Sequence, residues 1–431
     1  MGPEGRCAVK LAIIGGGSTY TPELIDGFGR LRDDLAVEEI WLVDPDEGRR
    51  DLIAAFGRRM LAHADHPATI HATDQIERGA ADADAVLFQL RVGGQSTRHD
   101  DESFPLEACC IGQETTGPGG FAKALRTVPV VLAAAEKARA VAKPGAWIVD
   151  FTNPVGIVTR ALLGEGHRAV GLCNVAMGFQ RRYSERFGVD PGQVRLDHVG
   201  LNHLTWERGI HVTTAAGERD VLPDLLENHL DETAETVHMP PALLLMLQAI
   251  PSYYLRYYYA HDEVFREQLF NPTRAQIVAA TEQELLGEYA DPVCNTKPRA
   301  LEKRGGAYYS EAAVGLLASL ASDRGDVQVL NVRNNGTMPF LPDDHVIEVP
   351  TEVRATGLTA MSIDALPAEM AGLIAHVAAY ERLALEAAVH GGRERVERAM
   401  LAHPLVGQYD KARKLTDLLI AHNSAHLPWA R

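Results

Sequence analysis

Short apolar runs separated by longer amphipathic stretches organise the first part of the chain. Residues 10–14 form an apolar run that ends in Gly15-Gly16-Gly17-Ser18. Leu24, Ile25, Phe28 and Leu31 then recur at helical spacing behind Pro22, and residues 39–43 form a second apolar run closed by Asp44-Pro45-Asp46. The pattern predicts a β-α-β unit with a glycine turn after its first strand. Residues 85–90, 146–151 and 169–172 are further strand-length apolar runs. Between the first two of these, residues 121–142 place Val128, Val131, Leu132 and Ala135 on one helix face. Strands apolar on both faces and alternating with helices predict a parallel sheet covered on both sides.

Beyond about residue 175 the pattern changes. Residues 194–203 and 208–214 read as strands; 241–260, 273–289, 308–322 and 366–389 read as helices, with another near the C-terminus. Residues 327–357 read as strand and turn around Asn334-Asn335-Gly336. The expected organisation is an α/β domain over 1–175 and an α+β domain over 176–431. A cleft is expected at the carboxyl ends of the parallel strands, where such sheets bind ligands.

Composition narrows the function classes. With 46% hydrophobic and 23% charged residues the 431-residue chain is globular, neither disordered nor fibrous. A net charge of −16 argues against nucleic acid or an anionic membrane as partner. An anionic small molecule would need local Arg or Lys to overcome that field. No apolar run approaches the ~18–20 residues that span a bilayer, and Leu11-Ala12-Ile13-Ile14 is too short for a signal-peptide core. Five cysteines (Cys7, Cys109, Cys110, Cys173 and Cys294) make no disulfide framework in so long a chain. A reduced, cytoplasmic enzyme is expected, in which a special cysteine acts as ligand or nucleophile.

Gly15 to Tyr20 spell G-x-G-x-x-Y. Gly15 permits the tight turn, Gly16 and Gly17 let the backbone approach a pyrophosphate, and Ser18 and Thr19 lead into the helix whose N-terminus would hold it. Asp44 lies 27 residues beyond Gly17, at the end of the second strand. It can accept the ribose hydroxyls and would repel a 2′-phosphate, which favours NAD over NADP; Arg49 and Arg50 just beyond temper that preference.

Three further features fall at strand ends. Asn153, in Phe151-Thr152-Asn153-Pro154, can offer its amide to a sugar hydroxyl, although Asn-Pro is also an ordinary turn signal. Cys173 in Gly-Leu-Cys-Asn and His203 in Gly-Leu-Asn-His stand 30 residues apart. Converging on a cleft, a thiolate and an imidazole can hold a divalent metal with open positions; singly, each reads as a buried core side chain. Residues 253–259 carry five of the twelve tyrosines. On one helix, Tyr254, Tyr257 and Tyr258 would share a face, either as packing or as a phenol that removes a proton from carbon.

Taken in order, these stretches resemble glycoside hydrolase family 4, the NAD- and metal-dependent glycosidases, which depart from the two-carboxylate mechanism. The resemblance adds Arg91-Val92-Gly93-Gly94, Ile111 to Gly117, Tyr254-Leu255-Arg256-Tyr257-Tyr258 and Lys303-Arg304-Gly305-Gly306. It implies a Rossmann-type NAD-binding domain followed by an α+β domain of the lactate/malate dehydrogenase-like kind. It further implies Cys173 and His203 as metal ligands with Mn²⁺ the usual ion, Tyr254 as the base, and Asn153, Arg91 and Arg274 on the phosphorylated sugar. Asn174 occupies a catalytic slot where branches acting on α-linked substrates usually carry Asp, so the 6-phospho-β-glucosidase branch is the nearest. The implied substrate is a phosphorylated disaccharide or β-glucoside, and the implied assembly a homodimer or homotetramer. Rival readings are an α-specific member of the family, a lactate/malate-type dehydrogenase, and an NAD-binding sensor without turnover.

Overall fold

The computed structural model describes residues 9–304 and 308–430, so Cys7, Gly305 and Gly306 lie outside the described residues. Thirteen strands form one sheet. Six of them are β1 (Val9–Ile14), β2 (Val37–Val43), β3 (Thr69–Thr73), β4 (Ala85–Phe88), β5 (Trp147–Asp150) and β6 (Ala169–Gly171). They run parallel in the order β3-β2-β1-β4-β5-β6. Helices Thr21–Arg30, Glu47–His63, Pro118–Arg139 and Val155–Gly164 connect them. Leu11, Ile13, Ile40, Leu42, Val86 and Leu87 are buried, as strands covered on both faces require.

The second half extends the same sheet. Its strands are β7 (Val194–Leu201), β8 (Leu204–Thr214), β9 (Gly217–Asp220), β10 (Ile250–Pro251), β11 (Asp326–Arg333), β12 (Val346–Arg354) and β13 (Gly357–Ala360). β11 docks antiparallel on β6, followed by β12, β7, β8 and β10. One row of residues crosses this junction in register: Gly171 pairs with Asn331, Asn331 with Glu348, and Glu348 with Gly200. Cys173 follows the first strand of that row by two residues, and His203 the last by two. Strand pairing thus carries both segments to one edge of the sheet.

Two local expectations are corrected. His203 does not end a strand: Asn202-His203 is the two-residue turn of the β7–β8 hairpin, and His203 takes the positive φ of 61° that such turns demand. The helix expected over 241–260 is broken. Helix Pro241–Leu247 stops at Gln248, whose φ is +48°. Ile250–Pro251 then pair with the edge of β8, where a proline's missing N–H costs nothing. The tyrosine run therefore begins with a 3₁₀ turn, Tyr253–Leu255, and continues in the short helix Arg256–Tyr259.

Candidate active site

A cavity of about 540 Å³ opens where the parallel strands end. Its wall includes Ser18, Arg91, Asn153, Asn174, His203, Tyr254 and Arg274, so the structure brings together expected residues from seven separate segments.

The glycine turn lies on one side. Gly15 has φ +87°, and a Cβ there would stand 2.8 Å from the Gln89 carbonyl oxygen. A Cβ on Gly16 would meet Leu42 Cβ at 2.7 Å, and one on Gly17 the Asp44 carboxyl carbon at 2.9 Å. Asp44 Oδ2 accepts from the Gly17 N–H at 3.0 Å, and Oδ1 from the Asp46 N–H at 3.0 Å. Each oxygen retains a lone pair for a further donor. Neither neighbouring arginine is unpaired. Arg49 Nε donates to the Gly17 carbonyl, and Arg50 donates to the Asp44 carbonyl and pairs with Asp51. Thr19, expected at the cofactor, is turned inward instead. It is fully buried, its hydroxyl donates to Glu282 Oε1 at 3.0 Å and accepts from Arg304 Nε at 2.7 Å, and it braces the turn from behind.

At the opposite side lies His203; Cys173 does not line the cavity itself but lies near enough to Tyr254 to act on its phenol. His203 is buried; Thr115 Oγ1 meets its Nδ1 at 3.0 Å, which leaves Nε2 for a ligand. Burial pulls its basicity down to about 4, so the ring is neutral near pH 7, the form that binds metals. Its ring lies flat on that of Tyr254, with centroids 3.7 Å apart and planes 6° from parallel. Cys173 is buried at the N-terminus of helix Val175–Phe187. Burial and the nearby Glu348 hold its thiol well above the usual range, against hydrogen bonds from the Val175 N–H, the Asn202 amide and the Asn174 N–H. Among the described residues no group of three or more His, Cys, Asp or Glu side chains converges as a metal cluster. What is present is a two-donor set of sulfur and neutral imidazole, and this fits a divalent ion that leaves positions open to substrate.

Burial, reinforced by Cys173 and Glu114, also raises the Tyr254 phenol. It therefore stays protonated until positive charge enters the cavity. Asn174 stands at the N-cap position of its helix, on the cavity wall. Among the described residues Asn153 Oδ1 is buried without a hydrogen-bond partner, an acceptor open to a donor.

Against the chain's net charge, the cavity is cationic. Arg91, Arg98, Lys123, Arg256, Arg274 and Arg304 line it, opposed by Glu102, Glu114 and Glu267. Glu114 gathers three of these cations: Arg91 Nη1 at 2.7 Å, Arg98 Nη2 at 3.2 Å and Lys123 Nζ at 2.5 Å. Their charge outweighs burial and holds its carboxyl well below the ordinary range. Burial and Arg91 pull Lys123 down to about 7. Arg91 thus belongs to a shared ion cluster, and Arg274 braces the cavity mouth by donating to the Lys303 and Arg304 carbonyls.

The family description "Family 4 glycosyl hydrolase" matches residues 10–189, and "Family 4 glycosyl hydrolase C-terminal domain" matches residues 198–406. The chain belongs to the family 4 glycosyl hydrolases. Among its relatives, the "Probable 6-phospho-beta-glucosidase" of Bacillus subtilis (strain 168) is 38% identical over 97% of both chains. A crystal structure of the 6-phospho-beta glucosidase from Thermotoga maritima with manganese, NAD⁺ and glucose-6-phosphate superposes with a TM-score of 0.90. It is 34% identical and covers 97% of this chain and 99% of that one. A Cryptosporidium parvum malate dehydrogenase shares the fold alone, at TM-score 0.53 and 16% identity over 89% of this chain and 99% of that one.

Several residues of this family 4 site escape sequence reasoning. Arg98 and Lys123 lie inside helices, where a cation ordinarily signals a solvated face. Thr115 sits in a motif that the sequence shows without showing its contact to His203. Glu348 left a usable trace, a carboxylate between Ile347 and Val349 in an apolar strand. Such a residue requires a buried partner.

Proposed function

We propose that the chain is an NAD- and divalent-metal-dependent 6-phospho-β-glucosidase, with residues 1–175 as the cofactor half and 176–431 as the metal and substrate half. The observation that carries the reading is the face-to-face stack of His203 on Tyr254, beside Cys173 and in a cation-lined cavity. It supports an ion site and a proton acceptor acting on one sugar ring. The paired state of Arg49 and Arg50 supports NAD over NADP, since a 2′-phosphate would meet Asp44 and no unengaged guanidinium. Mn²⁺ is the ion we favour, as the structure of the Thermotoga relative contains manganese.

The C2 hydrogen of an unactivated glycoside is not acidic, so elimination across C1–C2 is closed until C3 becomes a ketone. When bound, the nicotinamide supplies reversible hydride exchange at C3, and the divalent ion supplies Lewis acidity toward the C2 and C3 oxygens. Tyr254, which would release its proton to solvent to become phenolate once the cation is bound, then takes the C2 proton, and the leaving group departs from C1, taking up a proton from solvent. After water adds at C1, the same phenol, its proton exchanged with solvent, delivers a proton to C2, and the net change is hydrolysis. The unpartnered Asn153 Oδ1 accepts a hydrogen bond from a sugar hydroxyl and fixes the ring. The cationic wall around Glu114 binds the 6-phosphate, which supplies binding energy away from the reacting carbons. Asn174, an amide where an acid would protonate an α-linked leaving group, fits a β-glycoside or phosphorylated β-linked disaccharide. We place the enzyme in the cytoplasm, as Cys109, Cys110, Cys173 and Cys294 are all unbridged, and infer a homodimer or homotetramer from family resemblance.

The test is hydrolysis of an aryl 6-phospho-β-glucoside with NAD⁺, Mn²⁺ and reductant each omitted in turn. Loss of activity on each omission is the expected result. Full activity in chelator would remove the metal, and accumulation of NADH with a hydroxy acid would point to a dehydrogenase.

A further inference from the structure

Behind the cysteine–histidine pair, the sheet buries a second group of charges that the reaction does not touch. His198 on β7 lies between two carboxylates, with Nδ1 2.6 Å from Glu207 Oε1 on β8 and Nε2 3.1 Å from Glu348 Oε1 on β12. All three side chains are essentially inaccessible to solvent. Burial alone would strip the proton from His198, but the two carboxylates outweigh it and raise the ring to about 10. The His198 ring is thus held between two buried carboxyl groups. Ionic triads of this kind are often no more stable than well-packed apolar side chains, so their presence in a core invites a role beyond stability.

The contacts of Glu348 indicate that role. Its Oε2 accepts from Asn202 Nδ2 at 2.9 Å and from Asn331 Nδ2 at 3.0 Å. The Asn202 amide also stands beside the sulfur of Cys173 and favours its thiolate. Asn202 precedes His203 in the hairpin turn, so one residue stands beside one ligand and is joined through the backbone to the other. We propose that Asn202, clamped by the Glu348–His198–Glu207 triad, is a positioning residue that holds the His203 turn and the neighbouring Cys173 sulfur toward the divalent ion.

A hydrogen-bonded carboxylate behind a metal site orients the groups that present its ligands, and loss of such partners costs about 10–100-fold in metal affinity.

This inference rests on the metal reading above, and its test separates the two. Chelator-treated wild type, Glu348→Gln and Asn202→Ala are titrated with Mn²⁺, with the free ion followed by electron paramagnetic resonance. They are also loaded with Co²⁺, whose sulfur-to-metal charge-transfer band reports the thiolate directly. Both variants should bind Mn²⁺ at least about tenfold more weakly and show a diminished charge-transfer band. NAD⁺ affinity of Asn202→Ala should stay as in wild type while Mn²⁺ affinity falls, a split that a merely structural role would not produce. Asn202→Ala leaves the triad intact and carries the test if Glu348→Gln does not fold. An Asn202→Ala chain with wild-type Mn²⁺ affinity and an intact band overturns the inference alone. A wild-type chain that takes up no ion overturns the metal reading and this inference with it.

Discussion

Replacing Tyr254 with Phe removes one oxygen and nothing else from the site. The ring keeps its stack on His203 at 3.7 Å and its contacts with Tyr253 at 5.9 Å and Tyr257 at 6.4 Å. No hydrogen bond between the phenol and the described protein is lost, so the change in stability should stay below about 1 kcal/mol. The effect on chemistry is different in kind. A positioned general base contributes roughly 10²–10⁴-fold, or about 2.7–5.4 kcal/mol of barrier. The upper half of that range applies here. Burial, Cys173 and Glu114 all raise the phenol, so its phenolate, once formed, is a stronger base than a solvated one, and the acid it must deprotonate is a carbon. Tyr254→Phe should therefore lower kcat on an aryl 6-phospho-β-glucoside by about 10³–10⁴-fold, with NAD⁺ affinity and melting temperature unchanged. A kcat within about threefold of wild type, less than even the weakest general base supplies, would refute the assignment.

Gly17→Ala drives a Cβ to 2.9 Å from the Asp44 carboxyl carbon and breaks the Gly17 N–H···Oδ2 bond. NAD⁺ affinity should fall by at least about tenfold, the equivalent of one charge-assisted hydrogen bond; isothermal titration would show unchanged affinity if the turn were not the cofactor cradle. The pH dependence of stability should carry the mark of His198. Its folded-state value, about 10, lies above the ordinary 6.5, so its contribution is full below pH 6.5, declines as pH rises and is gone above about 10. Wild type should lose melting temperature across that window more steeply than His198→Gln, and parallel curves would contradict the buried imidazolium.

The parallel half of the fold was legible because its apolar runs are continuous and end in glycine, asparagine or aspartate. β3 was not, since Thr69–Thr73 is short and only partly buried. The tyrosine run misled because periodicity records spacing and not continuity. Pro251 and the left-handed Gln248 divide the expected helix, and the pairing of Ile250 with Glu207 that stabilises the break is invisible in sequence. At the site, Cys173 and His203 were found through motifs, yet what brings them together is the register Gly171–Asn331–Glu348–Gly200 across four strands. Thr19 was placed at the cofactor by its position in the glycine motif; its partners, Glu282 and Arg304, lie more than 260 residues away in sequence. Contacts of that range leave no local trace.

The central claim is that the chain breaks a glycosidic bond by making C2 of the sugar transiently acidic. The most direct measurement is turnover of a 6-phospho-β-glucoside in D₂O with NAD⁺ and Mn²⁺, followed by NMR of the released glucose 6-phosphate. The account predicts deuterium at C2 and no net NADH. Product that keeps its original hydrogen at C2 in full, at wild-type turnover, would contradict it.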